Sequence, residues 1–412
     1  MFASIKRTYN EYPRNFWTLV LAMFIDRIGG GLIFPFLALY LTQKFGVGMT
    51  EVGMMLLVHQ SSAFVGNIIG GALTDRFGRK TMLIAGLVIS ASVALGMGLV
   101  QTWEAFYGLA FLTGFVSNIG GPAVSAMMAD ILPESQRAEG FGIYRVAFNL
   151  SATIAPAIGG VLAGVSYLLL FVLDCIISII TAVIVYIAIP ETKPELAEGQ
   201  SEKSVGQTLV GYGRVFQDRI FLAVTFFATL TAVVYIQMHT SMSVFLRSMH
   251  GVNAQGYGYI LSLNAAMVVV MQFWITRKIK PVAPMVLMAW GNLLYALGFA
   301  MYGFVSQYWL FLAAMVIITV GEMVIAPVAQ TLVANLAPAD MRGRYMAFFG
   351  ISWGAASAVG PLAAGIVIDN FNPNWVWYAG GLICSAAAVG YIWLNARAGK
   401  RFRRMPLPTV SQ

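Results

Sequence analysis

Long apolar stretches separated by short polar ones dominate the pattern of this chain. A helix needs about 20 apolar residues to cross the hydrocarbon core of a membrane. Twelve stretches reach that length, and helix breakers and charged residues fall between them. The pattern therefore predicts twelve transmembrane spans, over residues 16–42, 50–73, 79–100, 104–128, 139–163, 165–189, 220–246, 253–275, 281–304, 308–333, 342–367 and 374–396.

One connector is long and polar, and it separates six spans from the next six. It extends from Pro190 to Arg219 and contains five acidic and four basic residues. We therefore expect an N-terminal half over 1–189, a linker over 190–219, a C-terminal half over 220–397 and a basic tail over 398–412.

The distribution of lysine and arginine predicts the orientation of the chain, because cytoplasmic loops of membrane proteins are enriched in these residues. If both termini are cytoplasmic, 21 of the 25 lysines and arginines lie in inside segments. Outside loops then contain only Lys44 and Arg247. We expect both termini inside, so the net charge of +8 follows membrane topology and needs no nucleic-acid partner.

Composition agrees with a membrane protein and argues against an enzyme. The chain is 59% hydrophobic and 10% charged, with a mean hydropathy of +0.77, whereas soluble proteins are about 25% charged. Both cysteines lie in apolar stretches, and the three histidines lack metal-ligand spacing. Since no nucleophile and base, metal cluster or nucleotide loop is recognisable, we expect no catalytic residues and no cofactor.

The two halves share an internal repeat with a shift of 205 residues. It covers the hairpin of the fourth and fifth spans, and that of the tenth and eleventh. Five positions recur as the same residue type: Pro122, Pro133, Arg137, Pro156 and Gly160 return as Pro327, Pro338, Arg342, Pro361 and Gly365.

The most distinctive polar stretch joins the second and third spans and reads G-A-L-T-D-R-F-G-R-K-T-M-L from Gly71 to Leu83. Gly71 permits close helix approach, and Gly78 permits a tight turn. Asp75 ends a helix, where a neighbouring helix N-terminus or a cation favours a carboxylate. The basic cluster suits a cytoplasmic loop, and it consists of Arg76, Arg79 and Lys80. On spacing alone, the stretch could be only a turn that orients two helices.

The same stretch resembles the G-x-L-a-D-r-x-G-r-k-x-x-l signature of the major facilitator superfamily. The resemblance implies an all-α membrane protein with twelve helices in two pseudo-symmetric six-helix halves, related by an axis along the membrane normal. It also implies transport by alternating access and a cytoplasmic gate, in which Asp75 engages the eleventh helix and Asp130 joins a charge relay. The arginine that the family carries in its fourth helix is missing, since Ala110 stands there.

The fifth span contains A-P-A-I-G-G, from Ala155 to Gly160. Pro156 kinks a helix, while Gly159 and Gly160 allow close packing, so the segment could simply be a helix crossing. It also resembles the g-x-x-x-G-P-x-x-G-G motif of drug:proton antiporters, although Ser151 and Ala155 replace glycines. This resemblance favours proton antiport over symport.

Five charged residues lie in the interior of the predicted spans, away from the span ends. Asp26 lies near the predicted midplane, where an ionisable residue costs at least about 2.5 kcal/mol on insertion and is a functional candidate. Glu322 and Asp174 are the other acids, and Arg27 and Arg145 are the buried cations. The acids are expected to couple protons. Alternatively, Asp26 belongs to a structural ion pair, Asp174 pairs with Arg145, and Glu322 is the counter-ion of a cationic substrate.

Aromatic and amide side chains near the midplane are candidates for lining a substrate cavity. A hydrogen-bonded structural role is the alternative for the histidine among them. Since polar groups at the midplane are few, the cavity is expected to suit lipophilic compounds. The candidates are Phe34, His59, Gln60, Asn149, Tyr235, Gln237 and Trp353.

The sequence as a whole predicts a multi-pass protein of the cell inner membrane that exports small amphipathic or drug-like molecules in exchange for protons. We expect a monomer whose partners are the substrate, protons and membrane lipids. A proton symporter for peptides, sugars or organic ions, or a lipid transporter on the same fold, is the alternative. The direction of substrate movement relative to protons separates the first two, and a cavity open sideways to lipid would indicate the third.

Overall fold

The computed structural model describes residues 9, 11–117, 120–192, 215–279, 281–338 and 341–402. Within these ranges the chain forms helices and no strand. The helices up to residue 188 are α1 (Arg14–Phe45), α2 (Met49–Phe77), α3 (Arg79–Leu99), α4 (Trp103–Ser117), α5 (Gly121–Ile131), α6 (Glu134–Ala163) and α7 (Tyr167–Ala188).

The C-terminal part of the chain is also built from long helices. These are α8 (Arg219–Tyr235), a 3-10 turn over Ile236–Met238, α9 (Ser241–His250), α10 (Ala254–Ile279), α11 (Pro284–Phe304), α12 (Tyr308–Leu336), α13 (Arg342–Asn370) and α14 (Trp375–Phe402). The predicted basic tail, 398–412, lies mainly beyond the described residues, as does most of the predicted linker, 190–219.

The described residues contain eleven helical segments long and apolar enough to cross a membrane. They correspond to the predicted spans except 50–73, which falls on α2, a helix in which several side chains lie outside the description. Many large apolar side chains on these helices are exposed, as Ile187 (76%) and Leu382 (70%) illustrate. Such surfaces are suited to lipid contact rather than to water.

Two predicted spans do not appear as one described helix. The fourth contains α4 and α5, the residues 118 and 119 between them lie outside the description, and Pro122 stands in the first turn of α5. The seventh span was predicted as one helix over 220–246, but a 3-10 turn follows α8 before α9 begins. Hydropathy does not detect this break, because the residues on both sides remain apolar.

The chain divides into two compact units. The first unit comprises 1–47, 54–197 and 253–262, and the second comprises 48–53, 198–252 and 263–412. The core of the first unit forms where α1, α3, α5 and α7 bury apolar side chains, including Phe16, Leu19, Leu87, Met127 and Val185.

Aromatic packing characterises the second unit. Tyr302 of α11 stacks on Phe311 of α12 with ring centroids 5.3 Å apart, and Trp377 of α14 lies 5.4 Å from Tyr302. The first turn of α2 also belongs to this unit. There Asp369 accepts hydrogen bonds from the backbone N–H groups of Met49 (3.0 Å) and Thr50 (2.6 Å), which suits a carboxylate at a helix N-terminus.

Candidate functional site

The first unit places two carboxyl groups at the interface of α1 and α7. Ser178 of α7 donates a hydrogen bond to Asp26 Oδ1 at 2.9 Å, so Asp26 faces α7. Asp174, one turn before Ser178, is 9% exposed and lies against Gly29. Among the described residues, Asp174 has neither a hydrogen bond nor an ion pair. The structure thus brings together two of the three acids that the sequence singled out.

The alternative pairing of Asp174 with Arg145 is not found. Asp174 contacts α1, and the side chain of Arg145 is exposed on α6. Arg27 is exposed as well, and its guanidinium lies 4.9 Å from the ring centroid of Phe148 on α6. The prediction that both cations are buried is therefore wrong. Adjacent residues on a helix point about 100° apart, so when Asp26 faces α7 its neighbour Arg27 faces elsewhere.

The second unit holds Glu322 of α12 in a hydrogen-bonded cluster. Tyr235 Oη donates to Glu322 Oε1 at 2.9 Å, and Asn264 Nδ2 donates to Oε2 at 2.8 Å. The Asn264 amide also donates to Thr319 Oγ1 at 3.0 Å. Glu322 forms no ion pair within the described part of the chain. Its two oxygens are thus satisfied by uncharged donors from α8 and α10.

Aromatic rings surround this carboxyl. The Tyr235 ring stacks on Tyr295 at 5.9 Å and packs against Trp353 at 5.7 Å and His239 at 5.6 Å between centroids. Tyr295 is buried, while Trp353 is 49% exposed, so the cluster reaches the surface of the unit on one side. A carboxyl group beside aromatic faces can bind a proton or an organic cation.

Four members of this cluster, Asn264, Thr319, Tyr295 and His239, were not among the predicted site residues, and neither was Ser178 in the first unit. Asn264 is recognisable in the sequence as a rare amide near a predicted midplane. Ser178 and Tyr295 carry no comparable signal, because serine and tyrosine are tolerated throughout transmembrane helices.

Gln237 has a structural role at the break after α8. Its amide donates to the carbonyl of Val233 at 2.9 Å, and its Oε1 accepts from Ser241 at 2.7 Å. The side chain is 5% exposed. It therefore satisfies polar groups at the 3-10 turn.

The remaining cavity candidates lie on α1, α2 and α6 of the first unit. His59 Nδ1 hydrogen-bonds the carbonyl of Ala110 at 2.9 Å, which joins α2 to α4. Gln60 is half-buried on α2. Phe34 is 41% exposed on α1, and Asn149 is exposed on α6.

The motif between α2 and α3 has a defined geometry around Gly78. Gly78 has φ 96° and ψ 155°, a conformation that strongly favours glycine. Glu191, just beyond α7, accepts hydrogen bonds from the backbone N–H groups of Arg79 (2.9 Å) and Lys80 (3.2 Å). Its carboxylate thus caps the N-terminus of α3. Glu191 was missed, although an acid directly after a predicted span was visible in the sequence.

The basic residues of the motif have separate contacts. Arg79 forms an ion pair with Asp130 at the end of α5, Lys80 Nζ donates to the carbonyl of Tyr186 at 2.7 Å, and the Arg76 guanidinium lies near the ring of Phe77. Asp130 and the motif are therefore brought together. The side chains at two further motif positions, Gly71 and Asp75, lie outside the described residues.

The A-P-A-I-G-G segment lies at a close helix crossing. A Cβ atom added at Gly159 would lie 2.6 Å from the carbonyl oxygen of Leu32, and one added at Gly160 would lie 2.5 Å from the Cα of Gly258. Pro156 is buried within α6. This geometry gives both glycines a packing role.

Comparisons with known proteins agree on the family to which this chain is similar. The family model described as Major Facilitator Superfamily matches residues 19–289 and 283–410. A Na(+), Li(+), K(+)/H(+) antiporter of Planococcus maritimus is 27% identical, with 90% of this chain and 93% of that protein covered. The multidrug resistance protein MdtH of Shigella boydii is 23% identical, with 91% and 93% covered.

Solved structures show a similar fold. A POT family transporter in complex with 5-aminolevulinic acid has a TM-score of 0.77 at 15% identity, with 93% of this chain and 96% of that chain covered. At this identity the likeness concerns the arrangement of helices and carries no information on the substrate.

Proposed function

Because the chain belongs to the Major Facilitator Superfamily, we propose that it is a proton-coupled exporter of small amphipathic or drug-like molecules that works by alternating access in the inner membrane. Asp26 and Glu322 are its proton-binding residues. The observation that carries the proposal is that each unit holds one of these carboxyls among uncharged hydrogen-bond donors. Neither carboxyl forms an ion pair with any described residue.

A carboxyl group in such surroundings can change its charge without breaking a salt bridge. Protons that enter from outside neutralise Asp26 and Glu322 and weaken the binding of a cationic or polar substrate, which leaves outward. The protons are then released to the cytoplasm, and the carboxylates bind the next substrate. In this scheme Asp75 and the Arg79–Asp130 pair belong to the cytoplasmic gate.

The experiment is proton movement in proteoliposomes that contain an internal pH dye, with an inward-directed proton gradient. Lipophilic cations, sugars and peptides are added in turn. Substrate efflux with internal acidification supports the proposal, whereas acidification that accompanies uptake would establish symport. Absence of proton flux with every compound would contradict proton coupling.

Matched variants locate the proton sites. Asp26→Asn and Glu322→Gln keep side-chain size and remove the titratable group, so each should abolish coupled transport while the protein still folds. Glu104→Gln at an exposed position is the control, and it should transport like the parent. Full coupled transport by Asp26→Asn would exclude Asp26 as the proton site.

Exchange of monovalent metal cations for protons is the second candidate. The similarity to the Planococcus maritimus antiporter favours it, and so does the oxygen content of the Glu322 cluster, where a carboxyl lies near the hydroxyls of Tyr235 and Thr319. Hard cations prefer such oxygen ligands. The same proteoliposomes, given Na⁺, Li⁺ or K⁺ without an organic compound, test it directly.

A further inference from the structure

We propose that Asp26 and Asp174 form one proton-binding unit, the carboxyl pair, and that Gly29 is the residue that makes room for it. The inference rests on the proposed function, in which Asp26 carries a coupled proton. It adds a second acid, from α7, and a positioning residue that carries no polar group.

The geometry starts from residue spacing on two helices. Asp26 and Gly29 are three residues apart on α1, so they lie on the same face, and Asp174 and Ser178 are four apart on α7. Ser178 Oγ binds Asp26 Oδ1 at 2.9 Å. The two helix faces therefore meet at this point, with one carboxyl from each side.

Gly29 allows α7 to approach α1 closely at Asp174. A Cβ atom at position 29 would lie 2.5 Å from Asp174 Oδ1 and 3.4 Å from Asp174 Cα. Any other residue there would push the Asp174 carboxyl away from α1. Gly30, next in the chain, has open space where its Cβ would be. Glycine at position 29 is thus a local steric requirement of the pair.

Burial and missing partners make Asp174 a proton-binding group. Its side chain is 9% exposed, and no other described side chain gives it a hydrogen bond or an ion pair. A buried carboxylate without donors is strongly disfavoured, whereas a protonated carboxyl is tolerated there. Asp174 is also close enough to Asp26 for the two charges to repel. Two carboxyls whose charges repel in this way titrate as a pair.

The other charges near the pair are few. Arg27 follows Asp26 on α1 and acts on it electrostatically. Cys175 follows Asp174 on α7 and interacts electrostatically with it. On α6, which packs on α1, the charged residue Arg145 is exposed. On α3, which packs on α7, the residues after Lys80 include no titratable side chain.

The proton balance of the pair is simple. With one proton shared between the two carboxyls, the pair has a charge of −1. Uptake of one proton from the outside gives two neutral carboxyls, and release of one proton to the cytoplasm restores the −1 state. Each cycle therefore moves one proton through the pair, and one proton remains bound throughout.

Infrared titration of the purified protein in lipid membranes tests the proposal without a transported substrate, because protonated carboxyls have separate carbonyl bands. Glu322→Gln serves as the background to remove the other buried acid. In this background the pair should lose its two protons in steps more than about one pH unit apart. Adding either Asp26→Asn or Asp174→Asn should leave a single step at a different pH from both. If Asp174→Asn leaves the Asp26 titration unchanged, the pair does not exist.

Gly29→Ala and Gly30→Ala form the matched comparison for the positioning residue. Gly29→Ala should bring the two steps closer together, because it separates the carboxyls, whereas Gly30→Ala should retain the parent titration. Equal titrations of both variants would overturn the role of Gly29. Thermal melting checks that each variant is folded, and if Gly29→Ala does not fold, Asp174→Asn still decides whether the pair exists.

The infrared titration tests the carboxyl pair independently of the transport assay that tests the proposed function. Two coupled steps in a protein that moves no protons across proteoliposomes would support the pair and contradict proton-coupled export. Proton-coupled export with independent titration of Asp26 would support the function and overturn the pair.

Discussion

Replacing Tyr235 by Phe removes one hydroxyl group and leaves the aromatic packing around Glu322 in place. The lost interaction is the 2.9 Å hydrogen bond from Tyr235 Oη to Glu322 Oε1, which joins α8 to α12. Asn264 still donates to the other carboxyl oxygen. The variant therefore isolates one interhelical hydrogen bond of the proposed proton site.

The free energy that the Tyr235–Glu322 hydrogen bond contributes depends on the charge of Glu322. Interhelical hydrogen bonds within membranes average about 0.6 kcal/mol and reach about 1.7 kcal/mol. A hydrogen bond to an ionised group is roughly twice as strong as one between neutral groups. We therefore expect a coupling energy of about 0.6 kcal/mol when Glu322 is protonated, and a value toward about 1.7 kcal/mol when it is ionised.

A double-mutant cycle measures this energy. The parent, Tyr235→Phe, Glu322→Met (which lacks the acceptor oxygen) and the double variant are unfolded reversibly with SDS in mixed micelles, at a series of pH values. The coupling energy should rise as the pH increases and Glu322 loses its proton. A coupling energy near zero would show that the hydrogen bond is absent. A value that stays constant over the whole range would refute a change of protonation at Glu322.

Three other changes test the packing and the gate. Glu191→Gln should destabilise the first turn of α3 by about 0.5–1 kcal/mol, because a charged cap is lost. Hydrogen exchange at the Arg79 amide should then become faster, and unchanged exchange would argue against capping. Asp130→Asn should cost no more than about 1 kcal/mol on unfolding, since its ion pair with Arg79 is partly exposed, and a larger loss would indicate a tighter network. Gly159→Val should reduce the yield of folded protein, because the new side chain would clash with α1. Gly142→Val is the control, since a Cβ atom at position 142 meets open space, and it should not reduce the yield. Equal yields of the two variants would contradict the close helix crossing at Gly159.

The positions of the helices were largely predictable from the sequence, because a membrane demands long apolar segments and tolerates few charges between their ends. The predicted span 79–100, for example, corresponds to α3 at Arg79–Leu99. The break after Tyr235 was not predictable in this way. It coincides with two side-chain hydrogen bonds of Gln237, which donates to the Val233 carbonyl and accepts from Ser241, and these do not alter the hydropathy of the segment.

The candidate site was only partly predictable for a related reason. Asp26, Asp174 and Glu322 were recognisable in the sequence because acidic residues are rare within apolar spans, where their insertion into the membrane is unfavourable. Hydropathy does not indicate which neighbouring helix an acid faces, so the sequence left a pairing of Asp174 with Arg145 open as an alternative, whereas Asp174 lies beside Gly29. The exposure of Arg27 likewise depends on the rotation of α1, and only packing fixes that rotation.

The position of Glu191 has a practical consequence for dividing the protein into separately expressed fragments. Helix α7 ends at Ala188, and the predicted half ends at residue 189, yet the carboxylate that caps α3 comes two residues later. A fragment cut at residue 189 would leave the backbone N–H groups of Arg79 and Lys80 without their partner. A fragment that continues through Thr192 carries its own cap, and reassembly from two chains should therefore succeed better with the later cut.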